Sequence, residues 1–363
     1  WTKGTSKRDS RAIAAITEGH AASIEGLSGR NTVGLQMTGL ARDWKPLSSL
    51  FTEVLLEPTF PDAEVEHSRR VAEDSIRGIE DHSAQLCSKL FLETLFEKHP
   101  YGKFTTGSLE SIAGVRGERL QAYHRAWVRP ERLSIAVSGN IERAQLDDWL
   151  AALSEQALAL AKKHPARALP ARLPEDPLLK APRWVEKSLG REQLHLMIGA
   201  FGTRLQAEDR HAVRLLGTLL SGQSGRLFVE LREKKSLAYT VAPVSFEGIE
   251  RGYIANYIAC APQKRDEAMS GIRAVLEKLA SGKSGPTSAE MDRAREFFLG
   301  RRAMDLQSDS SLASYLALEL VYEMPHISES ELVKKIRSVS PQQIREVCGR
   351  YLIEQHQVSA AVG

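Results

Sequence analysis

The sequence predicts an α+β fold with two homologous domains, each with helices packed on one face of a sheet. Three observations support this prediction. Strand-like and helix-like segments alternate loosely along the 363 residues, the same plan occurs twice, and a proline-rich stretch lies between the two copies. A chain of this length can form two or three domains, each with its own core.

The two copies begin and end alike. Gly4-Thr5 leads into a helix rich in Ala and Ile, and Gly202-Thr203 leads into a helix rich in Leu. At the far ends, a helical pattern is followed by strand patterns at Leu133–Val137 in the first copy and Val358–Val362 in the second. The units are too long for a solenoid repeat, so the pattern indicates a duplicated domain.

The repeat predicts a first domain over residues 1–160, a linker over 161–186 and a second domain over 187–363. Proline lacks a backbone N–H and does not fit inside helices or central strands. The linker is therefore expected to be extended. Its prolines are Pro165, Pro170, Pro174, Pro177 and Pro182.

Hydrophobic periodicity places the main elements. Val33–Met37 predicts a strand and Trp44–Leu56 a helix in the first copy. In the second copy, Tyr253–Cys260 alternates as a strand does, and the apolar stripe of Lys264–Gly282 predicts an amphipathic helix. Two capping boxes mark the starts of further helices: Thr287 with Glu290, and Ser340 with Gln343.

Composition excludes several function classes. The net charge is +3, and no segment concentrates basic residues with interleaved aromatics, so we expect no nucleic-acid surface. No apolar run reaches the about 20 residues that span a membrane. The chain begins at Trp1 without Met, so we expect a processed protein or part of a longer one. The cysteines form no C-x-x-C pair and are expected to be buried free thiols: Cys87, Cys260 and Cys348.

The stretch Gly225–Val241 is the most informative. Its apolar residues recur at helical spacing up to Leu231, and the composition then shifts toward β-formers from Ser236 onward. Arg232 and Tyr239 fall on either side of this helix–strand corner. A guanidinium and a phenol so placed can both donate hydrogen bonds to one peptide backbone.

From the residues alone, two interpretations of this pair stay open. Arg232 and Tyr239 bind a peptide, or Arg232 caps the helix end while Tyr239 fills a core. The histidines indicate no zinc site, because no two of the ten lie three or four positions apart, as ligands on one helix face must. Lone ones such as His124 and His211 are expected to be surface or core residues.

The stretch as a whole resembles the second-domain signature of the M16 metallopeptidases, the family of insulinase, pitrilysin and mitochondrial processing peptidase. In that signature a Gly/Ser-rich turn, here Ser221–Gly225, leads into an Arg-Leu-Phe run, here beginning at Arg226. The resemblance implies domains with mainly antiparallel sheets. It also implies that Arg232 and Tyr239 are substrate-binding residues that reach the peptide backbone across a closed chamber.

The first copy is similar to the same family but departs from its catalytic members. Glu57–Pro61 looks like the Pro-x-Phe turn of the family, His99–Gly102 is similar to its His-Pro-Tyr-Gly loop, and Glu66 falls at the position of the third zinc ligand. However, the run Gly19–Gly26 lacks the Asn-Ala of a catalytic edge strand, Ser68 replaces a second acidic residue, and the inverted H-x-x-E-H motif is absent. We therefore expect no catalytic and no metal-binding residue here, and interpret Glu66 as an exposed helix carboxylate.

The resemblance leads to the hypothesis that the chain is the non-catalytic, substrate-binding half of a zinc-dependent M16 metallopeptidase. Zinc is then expected in the partner half and not on this chain, so whether this chain alone is an enzyme stays open. The expected partners are a zinc-bearing M16 half, on the same or a separate chain, and a peptide substrate. A second copy of the chain, forming a homodimer, is the alternative partner.

Two other functions stay open. One is a structural core-type subunit of a larger complex without peptidase activity, as the shared fold of the cytochrome bc1 core subunits implies. The other is a catalytic half whose zinc motif lies upstream of Trp1. The presence of both Arg232 and Tyr239 favours a peptidase, because a purely structural subunit has no need for that pair. The sequence determines neither the compartment nor the peptide preference.

Overall fold

The structure, a computed structural model, describes residues 1–164, 168, 173, 175–352 and 357–363. Part of the predicted linker falls outside this range, including Pro165, Pro170 and Pro174. No helix within the described ranges is long and apolar enough to cross a membrane.

Contacts group the chain into two compact units, each assembled from three segments. Unit 1 comprises Trp1–Ile76, Thr105–Pro170 and Met304–His326, and unit 2 comprises Arg77–Phe104, Ala171–Ala303 and Ile327–Gly363. Both units take residues from either side of the predicted linker. The division into 1–160, 161–186 and 187–363 refers to the repeated plan of the sequence and stays a prediction.

The α-helices, in chain order, are α1 (Ser10–Gly19), α2 (Trp44–Leu56), α3 (Asp62–Asp81), α4 (Ser83–Leu95), α5 (Leu109–Ala113), α6 (Gly117–Trp127), α7 (Arg143–Lys163), α8 (Arg210–Leu220), α9 (Arg265–Ala280), α10 (Ser288–Asp305), α11 (Asp309–Val321), α12 (Glu329–Ser338) and α13 (Pro341–Tyr351). The strands are β1 (Ser23–Ser28), β2 (Val33–Thr38), β3 (Arg183–Lys187), β4 (Leu194–Phe201), β5 (Thr240–Phe246), β6 (Tyr253–Cys260) and β7 (Val358–Val362).

Unit 2 contains a five-stranded sheet in the order β3-β7-β4-β6-β5. Only β3 and β7 pair in parallel, and the other three pairings are antiparallel. The predicted α+β class with mainly antiparallel sheets is confirmed. Tyr253–Cys260 forms β6 with the predicted bounds, and the last predicted strand is β7.

Both faces of this sheet are covered. On one face, Ile198 and Ile258 pack with the apolar sides of α8, α9, α12 and α13. On the other, Met197 and Phe201 pack with α4 through Phe91. The prediction is that helices pack on one face of the sheet. In unit 2, α4 packs on the other face as well. This explains why β4 is a nearly continuous apolar run and does not alternate.

Unit 1 has a smaller sheet, in which β1 pairs antiparallel with β2 from Ser23↔Thr38 to Ser28↔Val33. A small core of Ile13, Leu50 and Val54 packs near it. The helix predicted at Trp44–Leu56 is confirmed as α2. The strand predicted at Leu133–Val137 is wrong: the segment has no ladder partner among the described residues.

The two predicted capping boxes in unit 2 are present. Thr287 and Glu290 bond each other's backbone N–H groups at the start of α10, and Ser340 and Gln343 do the same at α13. The three cysteines are buried and free, as predicted. Burial raises the pKa of the Cys87 and Cys348 thiols to about 12, so both are in the unreactive thiol form near neutral pH.

Candidate functional site

A tight turn after α8 sets the direction of the informative stretch. Gly222 has a φ of +76°, in the left-handed region. A Cβ at Gly225 would meet the carbonyl oxygen of Ser221 at 2.0 Å, which no other residue can accommodate without moving the backbone. Glycine is therefore required at both positions by the geometry of the turn.

Arg226 anchors the first end of the helical segment that follows. Its Nε and Nη2 donate to the two carboxylate oxygens of Glu290 at 2.8 and 2.9 Å. Its Nη1 and Nη2 also donate to the carbonyls of Ser284 and Gly285. The bonds from Arg226 are the main reason why the pKa of Glu290 falls to about 2. The segment is thereby attached to the start of α10.

The middle of the segment is a π-helix over Phe228–Glu233, a form that is often found at functional sites. Leu231 is fully buried, and a Cβ on Gly271 of α9 would meet its Cδ2 at 2.4 Å. This close approach fixes the rotation of the π-helix. Arg232, the next residue, consequently points away from the core and is exposed.

Beyond the π-helix the chain reverses into β5. The N–H of Ser236 bonds the carbonyl of Arg232 at 3.1 Å, and the N–H of Leu237 bonds the carbonyl of Leu231 at 2.8 Å. Ser236 itself has a φ of +50°, in the left-handed region. The reversal brings Tyr239, one residue before β5, back beside Arg232.

Tyr239 combines a fixed backbone with a free side chain. Its N–H donates to the carbonyl of Ala259 in β6 at 3.1 Å, while its side chain is 78% exposed. The Cζ of Arg232 lies 5.8 Å from the Tyr239 ring centre and 4.8 Å from that of Phe228. The exposure excludes the interpretation in which Tyr239 fills a core. Within the described ranges, neither the Tyr239 hydroxyl nor the Arg232 guanidinium makes a hydrogen bond to protein.

The two side chains lie in an open groove of about 580 Å³ at one end of the sheet. The sequence prediction identified Arg232 and Tyr239 but missed the charged and amide residues Glu192, Gln193 and Lys264. No local motif marks these three. Glu192 and Gln193 come near the pair through the pairing of β4 with β6, and Lys264 does so through the pairing of β6 with β5. The full lining is Glu192, Gln193, Arg232, Ser236, Leu237, Ala238, Tyr239, Ala259, Cys260, Ala261 and Lys264.

The part of the chain that the structure describes does not fit a zinc ion. No group of three or more His, Cys, Asp and Glu side chains there is arranged to hold a metal. Glu66, at the position of a third ligand by resemblance, is bonded by Arg69 at 2.8 Å and by Arg70 at 3.1 Å. These bonds lower the pKa of Glu66. No chemical step is therefore assigned to a metal held by these residues.

The other motifs are part of the scaffold. In the His99–Gly102 loop, the His99 Nδ1 accepts from the N–H of Tyr101 at 3.2 Å, and the Tyr101 hydroxyl accepts from the N–H of Ile249 at 3.0 Å. His124 and His211 are buried. Burial lowers the pKa of both to about 4, so they are neutral near pH 7.

Comparison with known proteins identifies the family. Residues 115–298, just over half of the chain, match the family model described as the peptidase M16 inactive domain. The chain belongs to the peptidase M16 family. Within this M16 chain the matched region ends in α10 and contains the turn, Arg232 and Tyr239.

Relatives by sequence include proteins named as zinc proteases. An uncharacterized zinc protease of Mycobacterium tuberculosis is 28% identical over 315 residues, which are 86% of this chain and 70% of that protein. The mitochondrial-processing peptidase subunit beta of Bos taurus is 19% identical over an alignment of 376 residues, covering 99% of this chain and 74% of that protein.

Solved structures share the fold. The peptidase M16 inactive domain from Pseudomonas fluorescens matches with a TM-score of 0.85 at 21% identity, over 100% of this chain and 86% of that one. A protease from Helicobacter pylori matches with a TM-score of 0.86 at 18% identity, over 99% and 87%. At these identities the likeness supports the fold alone.

Proposed function

We propose that this chain is the non-catalytic, substrate-binding half of a zinc-dependent M16 metallopeptidase that cleaves peptides in a closed chamber. One observation carries the proposal. Arg232 and Tyr239 point into one groove, their side chains make no hydrogen bond to protein in the described ranges, and their backbones are held by the fold. An exposed, unpaired donor pair on a fixed base is typical of a binding site.

Each member of the pair has a separate task. The Tyr239 hydroxyl donates to the carbonyl oxygen of the scissile peptide bond, and this bond strengthens as negative charge develops on that oxygen. The Arg232 guanidinium, with five N–H donors in a fixed plane, binds a neighbouring backbone carbonyl. The two donors together orient the peptide.

The hydrolytic chemistry belongs to the partner in this proposal. The partner half would hold the zinc, which would polarise a water molecule there for a carboxylate acting as the general base. The residues of this chain bind and orient the peptide backbone. The relatives named as zinc proteases support the assignment of the partner's class.

The proposal is tested by measuring zinc content and peptidase activity of the 363-residue chain, alone and mixed with a candidate zinc-bearing M16 half. We expect no stoichiometric zinc and no activity in the chain alone, and activity on mixing. Stoichiometric zinc with activity in the chain alone would overturn the non-catalytic assignment. No peptidase activity in either sample would favour the structural-subunit function. Size-exclusion chromatography of the same samples decides between a heterodimer and a homodimer.

A further inference from the structure

Two cations in the groove lack carboxylate partners. Lys264, directly before α9, donates from Nζ to the carbonyl of Ser236 at 3.4 Å and to no other group among the described residues. The Arg232 guanidinium lies over the rings of Phe228 and Tyr239. Neither group has a carboxylate within 4 Å among the described residues. The groove is therefore lined by two positive charges that the fold leaves unneutralised.

Neighbouring basic residues behave differently. Lys234, two residues after Arg232, bonds Glu230. Arg265, the residue after Lys264, bonds Asp266 at 3.1 Å and Glu186 at 3.5 Å. Lys234 and Arg265 thus have acidic partners, whereas the two cations that line the groove, like the exposed Lys235 outside it, have none within 4 Å among the described residues.

We propose that the groove is specific for a peptide that carries a carboxylate next to the segment bound by Arg232 and Tyr239, and that Lys264 determines this specificity. This inference rests on the proposed function. The ammonium of Lys264 has three donors and uses one on Ser236, so two remain for a ligand. Arg232 and Lys264 together form the positive side of the groove.

Glu192 makes the specificity directional. It is the one carboxylate in the groove lining and lies beyond 4 Å from both cations within the described structure. A ligand carboxylate close to Glu192 is repelled, whereas one beside Lys264 is attracted. The acidic group of the ligand therefore sits at a defined position along the bound peptide.

The carboxylate has two sources, an acidic side chain or a free C-terminus, and the experiment separates them. Ten-residue peptides with amidated C-termini, labelled with an uncharged fluorophore, carry Glu or Gln at one scanned position in a neutral background. A third set carries Gln with a free C-terminus. Fluorescence anisotropy with the 363-residue chain gives the Kd of each peptide. The kcat/KM of the mixed complex, that is, this chain mixed with a zinc-bearing M16 half, gives a second, independent comparison.

We expect one position at which the carboxylate improves affinity about fivefold over the neutral peptide, the upper range for a solvent-accessible ion pair. Lys264→Gln should remove this preference, so that the Glu and Gln peptides bind this variant with equal affinity. The matched control is Lys235→Gln, which removes the same charge from an exposed lysine outside the groove and should preserve the preference.

Equal affinity for Glu, Gln and free-acid peptides would overturn the inference, and so would an equal loss in the Lys235→Gln variant, since a long-range field would then explain it. In both cases, neutral-peptide binding that is lost in Arg232→Ala still supports the proposed function. Absence of any peptide binding or cleavage, in the chain and in the complex, overturns both. Preference for the free acid alone assigns the groove to a C-terminus.

Discussion

Arg226 and Arg232 stand at the two ends of one helical segment and have opposite surroundings. Arg226 makes four hydrogen bonds, to Glu290, Ser284 and Gly285. Arg232 makes none from its guanidinium within the described structure and stays exposed. The same residue type therefore serves two purposes here. Arg226 holds the segment in place, which allows Arg232 to remain available for a ligand.

The largest effect is expected at Tyr239, the partner of the free arginine. Tyr239→Phe should lower kcat of the mixed complex on the order of 10²-fold, because the developing oxyanion loses a hydrogen-bond donor. Steady-state kinetics on a labelled peptide measures this. Tyr123→Phe, another exposed tyrosine, on α6, is the control and should retain full activity. Unchanged turnover in Tyr239→Phe would exclude the oxyanion role.

The second prediction is that alanine variants of the two arginines differ in their free energy of unfolding. Arg226→Ala should lower the free energy of unfolding by about 2 kcal/mol, because Glu290 and two carbonyls lose charge-assisted bonds. Arg232→Ala should change it by less than about 0.5 kcal/mol, as exposed substitutions do. Urea denaturation of both variants measures the difference. Equal losses would contradict the division of roles.

Acid should remove the contribution that the Arg226–Glu290 pair makes to the free energy of unfolding. The pKa of Glu290 is about 2 in the folded protein, below its ordinary 4.5, so the unfolded state takes up the proton first as pH falls. The stabilisation is complete above pH 4.5 and is lost toward pH 2. We expect the stability gap between the natural protein and Arg226→Ala to be constant from pH 7 to pH 5 and to shrink below.

Urea denaturation across this pH series measures the gap. The buried His124 and His211 also destabilise the fold as pH falls from 6.5 toward 4, but they do so in both proteins and cancel. In a Glu290→Gln background the gap should no longer vary with pH. A gap that still shrinks there would assign the pH dependence to another group.

A smaller effect than that of Arg226→Ala is expected at Thr287, which caps α10 and bonds Glu290. Thr287→Ala should cost about 1 kcal/mol, the usual value for a lost N-cap. Thr287→Ser keeps the hydroxyl and should be close to neutral. Thermal unfolding measures both. Equal destabilisation by Ala and Ser would mean that the methyl group, and not the cap, is what matters.

Local signals account for what the sequence could predict. The helix Trp44–Leu56 and the strand Tyr253–Cys260 form with the predicted bounds because each carries its periodicity within itself. The closeness of Arg232 and Tyr239 also follows from local structure, since a single reversal at Ser236 joins them. How these residues act on a substrate stays a proposal.

Long-range pairing accounts for what the sequence could not predict. Leu133–Val137 has a strand-like pattern, but a strand also needs a neighbour in register, and none among the described residues provides one. Glu192 and Gln193 reach the groove only because Leu194 pairs with Cys260. A pattern read along the chain does not contain such pairings.

The ladder bond between Tyr239 and Ala259 also bears on the thermodynamics of recognition. Because folding has already restricted the backbone of Tyr239, a ligand has to immobilise only the side-chain torsions. Ordering one side chain costs about 0.5–1.5 kcal/mol on association, whereas ordering a loop backbone costs a further 1–2 kcal/mol for each residue. The groove is preorganised, and its entropy of binding should resemble that of a rigid receptor.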